Sequence, residues 1–360
     1  MSQRPAVELF ALSGAPALME GRDARGLLHR VITLHARRLA AGEGDLAHLL
    51  DARGRALHTF ATVCLGDRWL LLPHAGGEAA LSAALDMYIF SEDARLSLPR
   101  WRGLRLEGSL EALRALASSL ASSLASSLTA EPAEWATQGA ERAGAWGGVE
   151  VGGCVWLRAP RLGAFGVGSP GSVERELWGP EAEVEALIAA LTAAGLGVGS
   201  AADFDARRIR LGAPAAPREY QGRYCPLDVG LAGISEQKGC YPGQEVIERT
   251  IALGKPARAL IHLRAELEGE EGRRQAEALL SALEGEPAPL WAEGCVEGAA
   301  EGEAKHNGAP AAELTSAAWS EGALYALALA RRSSAEAGRW KTAEGLCLYA
   351  LPSAAQGVSQ

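Results

Sequence analysis

The sequence predicts an α+β protein of two α+β halves followed by a separate C-terminal β-rich domain read as a small barrel. Three observations carry this. Helical periodicity alternates with short apolar runs toward the N-terminus, a second alternation of the same kind follows residue 150, and after Lys255-Pro256 the pattern changes to strands. The expected divisions are 1–112, a helix and linker at 113–149, 150–256, and 257–360 with an insertion at about 266–313.

The elements follow in order. Behind Asp23, a residue type suited to an N-cap, Leu27, Leu28, Val31, Leu34 and Leu39 recur at near-helical spacing and predict a helix between Gly21 and Leu39. Residues 45–72 hold three apolar runs broken at 52–55 and at Gly66-Asp67, which reads as an antiparallel meander. A helix from about Glu78 to Phe90 and a strand near Ala94–Leu98 complete the first half. In the LASS repeat of 113–128, Leu116, Leu120, Leu124 and Leu128 stack one turn apart, as on a surface helix with a narrow apolar stripe, and 129–148 reads as a low-complexity connector. Strands at about 150–157 and 162–167, a helix at 181–194 and the DFDARRIRLG stretch build the second half. The strand-like runs ARALIHLR, APLWAEG, GALYALALA and LCLYAL, spaced by Gly/Ala/Glu-rich segments, predict a small C-terminal barrel.

Composition narrows the function. The 360 residues are 48% hydrophobic and 22% charged, with a mean hydropathy of +0.01, enough apolar surface for globular domains. A formal charge of −9 disfavours extended nucleic-acid binding while leaving room for a local basic pocket. The opening residues have no apolar signal core and no Arg/Ser-rich transit character, so export is not expected, and the most apolar stretch, 186–202, is too short and too glycine-interrupted to span a membrane. The six cysteines are scattered without a CxxC, as expected of reduced thiols in a cytoplasmic protein. His29 and His35 stand six apart, and no histidine pair has metal-ligand spacing, so no bound metal is expected. His48 and His58 flank a hairpin and belong in or beside a sheet; GAFGVGSPG at 163–171 reads as a hairpin turn, and no G-x-S-x-G elbow occurs.

The densest cluster is Lys238-Gly239-Cys240-Tyr241-Pro242-Gly243-Gln244-Glu245, followed by Arg249. Glycines and a proline around a cysteine predict a sharply turned loop, with Gln244 opening a helix. A thiol just before a helix N-terminus and two residues from a lysine sees positive potential, an environment suited to a reactive cysteine. The alternative is a small hydrophobe buried in a turn, with Lys238, Glu245 and Arg249 as a solvated ion-pair set.

KGCYPGQE followed by Arg249 resembles the signature of the YgfZ-type folate-binding proteins, relatives of the aminomethyltransferase (T-protein) of the glycine cleavage system. Arg208-Ile209 with Gly212 and Pro214 resembles the family's RI..G.P segment, and Pro226, Asp228 and Leu231 resemble its P.E..L segment, with Asp in place of the commoner Glu. Leu253-Gly254-Lys255, Leu314-Thr315-Ser316 and GRDARGLLHRVITLHARRL at 21–39 extend the likeness over most of the chain. The resemblance implies a GcvT-like fold of two intertwined α+β halves around a central channel with a C-terminal β-barrel. It also implies a role in assembling or maintaining iron–sulfur enzymes, tRNA-modifying ones included, in which Cys240 is a functional thiol with Lys238 beside it. Tetrahydrofolate or a one-carbon derivative is the expected ligand, with iron–sulfur client or assembly proteins as partners. A reduced pterin offers a flat face for an aromatic ring, a donor edge for a carboxylate, and a glutamate tail for Arg or Lys. Phe204, Arg208 and Asp228 are candidates for those roles; each has an equally weighted alternative, as a core aromatic, a surface ion pair and a turn residue. Tyr241, Gln244, Glu245 and Arg249 complete the expected binding set.

Departures separate the family's branches. The T-protein pattern carries paired aspartates about where this chain has His58 and Thr59, so the acid that would assist aminomethyl transfer is missing. GCYxGQ at Cys240 points the same way. Gly14 falls near an N-terminal aromatic of some members, with Phe10 as the candidate substitute. A tetrahydrofolate-dependent aminomethyltransferase and a folate-independent scaffold remain the alternative functions.

Overall fold

The structure is a computed structural model that describes residues 7–73, 77–109, 111–113, 115, 146–151, 153–158, 172–220, 222–236, 238–265, 267, 269–283, 286–292, 309–343 and 345–352. The LASS repeat beyond its first residues, most of the connector, the strand expected at 162–167, the GAFGVGSPG turn and most of the 296–313 spacer lie outside the described residues.

The first half holds β1 (Val7–Leu12), β2 (Ala17–Glu20), α1 (Ala24–Val31), β3 (Glu43–Leu50), β4 (Ala56–Cys64), β5 (Arg68–Pro73), α2 (Glu78–Asp86) and β6 (Arg95–Ser97). In α1 the residues Ala24, Leu27, Leu28 and Val31 are buried, the one-sided stripe of an amphipathic helix. The helix is shorter than its periodicity predicts. Val31-Ile32-Thr33 is a β-branched run, Ile32 turns extended (φ −107°, ψ 166°) and bridges to Leu49, and only a 3₁₀ turn at Ala36–Arg38 follows. The expected meander is β3–β4–β5, and α2 ends four residues before Phe90, which is exposed.

The second half continues with β7 (Trp101–Ser109), β8 (Trp146–Val151), β9 (Cys154–Arg158), β10 (Ser172–Pro180), α3 (Glu181–Ala193), β11 (Val198–Gly199), α4 (Ala201–Arg210), α5 (Pro226–Val229) and α6 (Gln244–Leu253). The single strand expected at 150–157 is instead the hairpin β8–β9. A capping box starts α4, with Ser200 Oγ accepting from the Asp203 amide and Asp203 accepting from the Ser200 amide. All eleven strands form one sheet in the order β11-β1-β7-β10-β9-β8-β3-β4-β5-β2-β6. The first strand in the chain therefore sits among strands of the second half, parallel to β11 and antiparallel to β7, and this exchange intertwines the halves.

Beyond Leu253 come β12 (Arg258–Ala265), α7 (Gly269–Ala282), β13 (Ala288–Ala292), β14 (Ala312–Ser320), β15 (Ala323–Arg331), β16 (Arg339–Thr342) and β17 (Cys347–Ala350). The six strands close into a barrel in the order β12-β15-β14-β13-β16-β17. Small Ala326, Ala328 and Ala330 share its core with Leu263, Leu290, Leu314 and Trp340, the large-and-small mixture a narrow barrel needs. Leu279 and Ala276 of α7 join the same core.

The barrel is fastened to α4 by a buried ion pair. Arg208 Nη1 donates to Glu219 Oε2 at 3.0 Å and to the Ala213 carbonyl at 3.0 Å, Nη2 donates to Ser316 Oγ at 3.3 Å, and Ser316 donates to the other oxygen of Glu219. Glu219 is fully buried, so removing its cation would strand a charge. Arg208→Ala is therefore expected to lower unfolding stability by about 3–5 kcal/mol in urea melts; a loss below about 1 kcal/mol would refute this role.

A second seam holds the 222–238 segment against the first half. Gly222 donates to the Ala56 carbonyl, Ala56 to the Tyr224 carbonyl, Thr33 Oγ1 to the Gly233 carbonyl at 2.6 Å, and Ser235 to the Thr33 carbonyl at 3.0 Å. His48 bridges Thr59 Oγ1 at 2.8 Å and the Ala232 carbonyl at 2.7 Å. Burial pushes His48 down to about 4, and burial with the nearby Lys238 charge does the same to His29. Between about 6.5 and 4 the unfolded chain then binds more protons than the folded one, so stability is complete above about pH 6.5 and falls as pH drops. Urea midpoints are expected to decline from pH 6.5 to 5, above the carboxylate range. His48→Gln, which keeps an acceptor and a donor, should flatten that slope; an unchanged slope would rule out His48.

Candidate functional site

The KGCYPGQE loop leads from this seam into α6. Gly243 is left-handed (φ 78°), and a Cβ there would stand 2.5 Å from the Asp51 carbonyl oxygen and 3.1 Å from Gly54 Cα. The β3–β4 turn and the start of α6 thus meet glycine against glycine, which positions the loop on the first half. Tyr241 is buried beside Leu50, Ala56 and Ile247, with Cys225 and Leu227 packed on the same cluster. Its hydroxyl is pushed up to about 12 by burial, with Glu248 and Cys225 adding to the shift.

Lys238 is 5% exposed. Its Nζ donates to the His29 carbonyl at 2.6 Å and lies 4.7 Å from the centre of the Tyr241 ring. A cation is thereby placed near the C-terminal end of α1, where the helix dipole favours it. Burial lowers the ammonium to about 8, with the neighbouring Cys240 opposing the shift. Cys240 itself is exposed, as are Glu245 and Arg249, and Gln244 donates across one helical turn to Glu248. The chemical group this loop presents to solvent is a thiol next to a clamped lysine.

The rings of His29 and His35 lie tilted to each other by 49°, with centroids 4.5 Å apart. Among the described residues, no group of three or more His, Cys, Asp or Glu is arranged to hold a metal ion.

Phe204, Arg208 and Asp228 are not gathered at this loop. Asp228 accepts from the Cys225 amide at 3.3 Å, closing the cap of α5, and from the Arg258 amide at 3.1 Å, tying α5 to the first barrel strand. Burial raises its carboxyl. Arg208 makes the barrel contacts described above. Phe204 on α4 belongs to a different group: its ring centre is 5.7 Å from that of Phe10 and 5.1 Å from the Arg105 guanidinium. Phe10, the candidate substitute for an N-terminal aromatic, is thus Phe204's neighbour.

That group is a charged face of the sheet. Register places Glu8 opposite Glu107 and Phe10 opposite Arg105 on β1–β7, and Arg105 opposite Glu176 and Glu107 opposite Glu174 on β7–β10. Period-2 alternation sends all six side chains to one side, while Leu9, Leu104, Leu106 and Leu177 go to the other and pack under α3. Arg105, 3% exposed, donates to Glu107 at 2.8 Å, to Glu176 at 2.7 Å and to Glu174. Burial alone would depress the guanidinium; Glu174, Glu176 and Glu107 overcome it and hold it above its ordinary value. Arg207 from α4 pairs with Glu107 and with Glu8 at 2.7 Å, and Trp178 Nε1 donates to Glu176 at 2.9 Å. Two guanidiniums meet four carboxylates under α4, beside two phenylalanine rings. Sequence reasoning missed all but the aromatics, although LRLEG and VEREL place charges at every second position of strand-like runs.

No family model and no curated protein matches the sequence. Among solved structures, the glycine cleavage system aminomethyltransferase T from Bartonella henselae aligns with a TM-score of 0.68 over 97% of this chain and 86% of its own, at 18% identity. The heterotetrameric sarcosine oxidase from Corynebacterium sp. U-96 aligns over 49% of this chain and 77% of its own with 19% identity and a TM-score of 0.27, too low to bear on the fold. The chain has the mixed α+β, barrel-bearing fold of the glycine cleavage aminomethyltransferase.

Proposed function

We propose that this protein binds tetrahydrofolate or a one-carbon derivative and acts as an accessory protein for iron–sulfur enzymes, tRNA-modifying ones among them, with Cys240 as its functional thiol. The observation that carries the reading is the exposed Cys240 on a loop whose lysine is clamped to α1, in a chain with an aminomethyltransferase fold. The resemblance of KGCYPGQE to the YgfZ-type signature supports the accessory role.

For the folate, the group around Phe204 has the chemistry a pterin needs. Phe204 and Phe10 offer aromatic faces, and an excess of carboxylates over guanidiniums suits a donor edge. Arg208 acts on that group as a positioning residue by seating α4, and Asp228 seats α5 against the first barrel strand. One thiolate cannot hold a cluster alone, so Cys240 works as a transient ligand or redox partner together with a client or assembly protein.

Aminomethyl transfer is the second reading, favoured by the shared fold. Against it, Thr59 is buried and bonded to His48, and His58 is half-buried with its imidazole lowered by burial, so neither position offers a carboxyl to the reaction.

Anaerobic calorimetry with tetrahydrofolate is expected to show saturable binding that weakens at least about tenfold in Phe204→Ala, the loss of one stacked ring. A folded parent that binds no folate would leave the fold as a scaffold. Turnover with an aminomethyl-lipoyl carrier and tetrahydrofolate would favour the transferase. In a strain lacking this protein, Cys240→Ala is expected not to restore iron–sulfur enzyme activity; restoration equal to the parent would overturn the thiol's role.

A further inference from the structure

A concave site lies where the barrel meets the 222–224 segment. It is a cavity of about 280 Å³ whose walls include Arg223, Arg258, Arg331 and Glu313, framed by Pro289 and Pro310. Arg258 opens β12 and Arg331 closes β15, and the two are direct cross-strand partners. Opposed residues of an antiparallel pair project to the same side with Cβ atoms about 5 Å apart, and like charges so placed repel. This arrangement is unfavourable unless something negative lies between them.

The acids of the site offset it only in part. Glu313 spends one oxygen on the Tyr224 hydroxyl at 2.6 Å and the other on Arg258 Nη1 at 3.2 Å. Arg258 is fixed further by its position 5.5 Å from the centre of the Tyr224 ring. Arg223 pairs at 2.7 Å with Glu286, whose side chain is 81% exposed, a contact that solvent screens. Arg331 has no acidic partner among the described residues, and its amide donates to the Ala311 carbonyl at 2.9 Å, which holds it against the proline-framed wall. Three guanidiniums thus converge on one cavity, and one of them is uncommitted.

We infer that this cavity is an oxyanion-binding site, taking a phosphate or carboxylate group of a small molecule between Arg258 and Arg331 with Arg223 on the facing wall. Guanidinium forks match both groups in geometry. Prolines at the rim restrict the backbone there and lower the entropy lost on binding. The site lies outside the group around Phe204 and outside the Cys240 loop, and it stands whether or not folate binds.

The test is calorimetric titration of the full chain with inorganic phosphate and, separately, with citrate at fixed ionic strength. Saturable binding of at least one is expected, and whichever binds more tightly identifies the group the site prefers. Arg331→Ala, at an exposed residue with no side-chain partner among the described residues, is expected to weaken that binding at least tenfold, and Arg331→Lys less. A further readout separates a site from general charge: without anion, Arg331→Ala should melt no lower than the parent, because it relieves repulsion, and the anion should raise the parent's Tm but not the variant's. Absence of saturable binding to the folded parent, or equal binding and equal Tm shifts in Arg331→Ala, would overturn the inference.

Discussion

Burying Arg105 at the centre of the sheet is the constraint on which the arrangement of the halves depends. A guanidinium withdrawn from water is tolerable only when its donors are met, and the three carboxylates that meet them come from β7 itself and from β10. The pairing works in one register only. A one-residue slip of β10 against β7 would send Glu174 and Glu176 to the leucine side and bring Arg175 under α4. The same face then dictates what covers it: α4 must bring a cation for the remaining carboxylates, which Arg207 supplies, and a ring for the guanidinium, which Phe204 supplies. Because β1 contributes Glu8 and Phe10 to this group, the N-terminal strand is committed to the second half by charge as well as by backbone pairing.

The motif loop obeys a similar logic at the other seam. Its residues lie late in the sequence, yet nearly every fixed contact reaches back to the first half: Lys238 to His29, Ser235 and Gly233 to Thr33, Ala232 to His48, Gly243 to Asp51 and Gly54. The hydrogen bonds among these replace water contacts for backbone groups that would otherwise be buried unmet, and the Gly243 approach is a steric fit. What is left free is Cys240, flanked by Gly239 and anchored on both sides. The thiol is thereby held in place by residues on either side of it, and its loop is already ordered.

How much of this was legible follows from what each element buries. The β3–β5 meander, α3 and four barrel strands carry uninterrupted apolar patterns and can be read directly from the sequence. The strands β7 and β10 cannot be read from apolar pattern, because one of their faces is buried against charges, and a period-2 row of Arg and Glu reads as solvent-facing. The helix α7 is hidden for the opposite reason: its buried residues are Gly272, Ala276 and Leu279 among many charges, so it passes for an acidic spacer. The end of α1 at Ile32 is set by a bridge to Leu49, a tertiary contact with no local mark beyond β-branching. At the candidate site, the loop and its helix were legible because glycine and proline constrain backbone by themselves. The partners of Phe204 were not, because they depend on strand register.

Charge distribution links these local sites to the whole. The chain is net negative by nine, and its mean field would turn anions away. Screening confines that field to about 8 Å at physiological ionic strength, so a ligand inside a cavity responds to the groups lining it rather than to the sum. Carboxylates outnumber guanidiniums under α4, and three guanidiniums gather where the barrel meets the body. The two places therefore present opposite charge on one acidic protein. Their separation follows from topology: the first lies on the shared face of β1, β7 and β10, and the second on the outer side of β12 and β15, where the barrel docks.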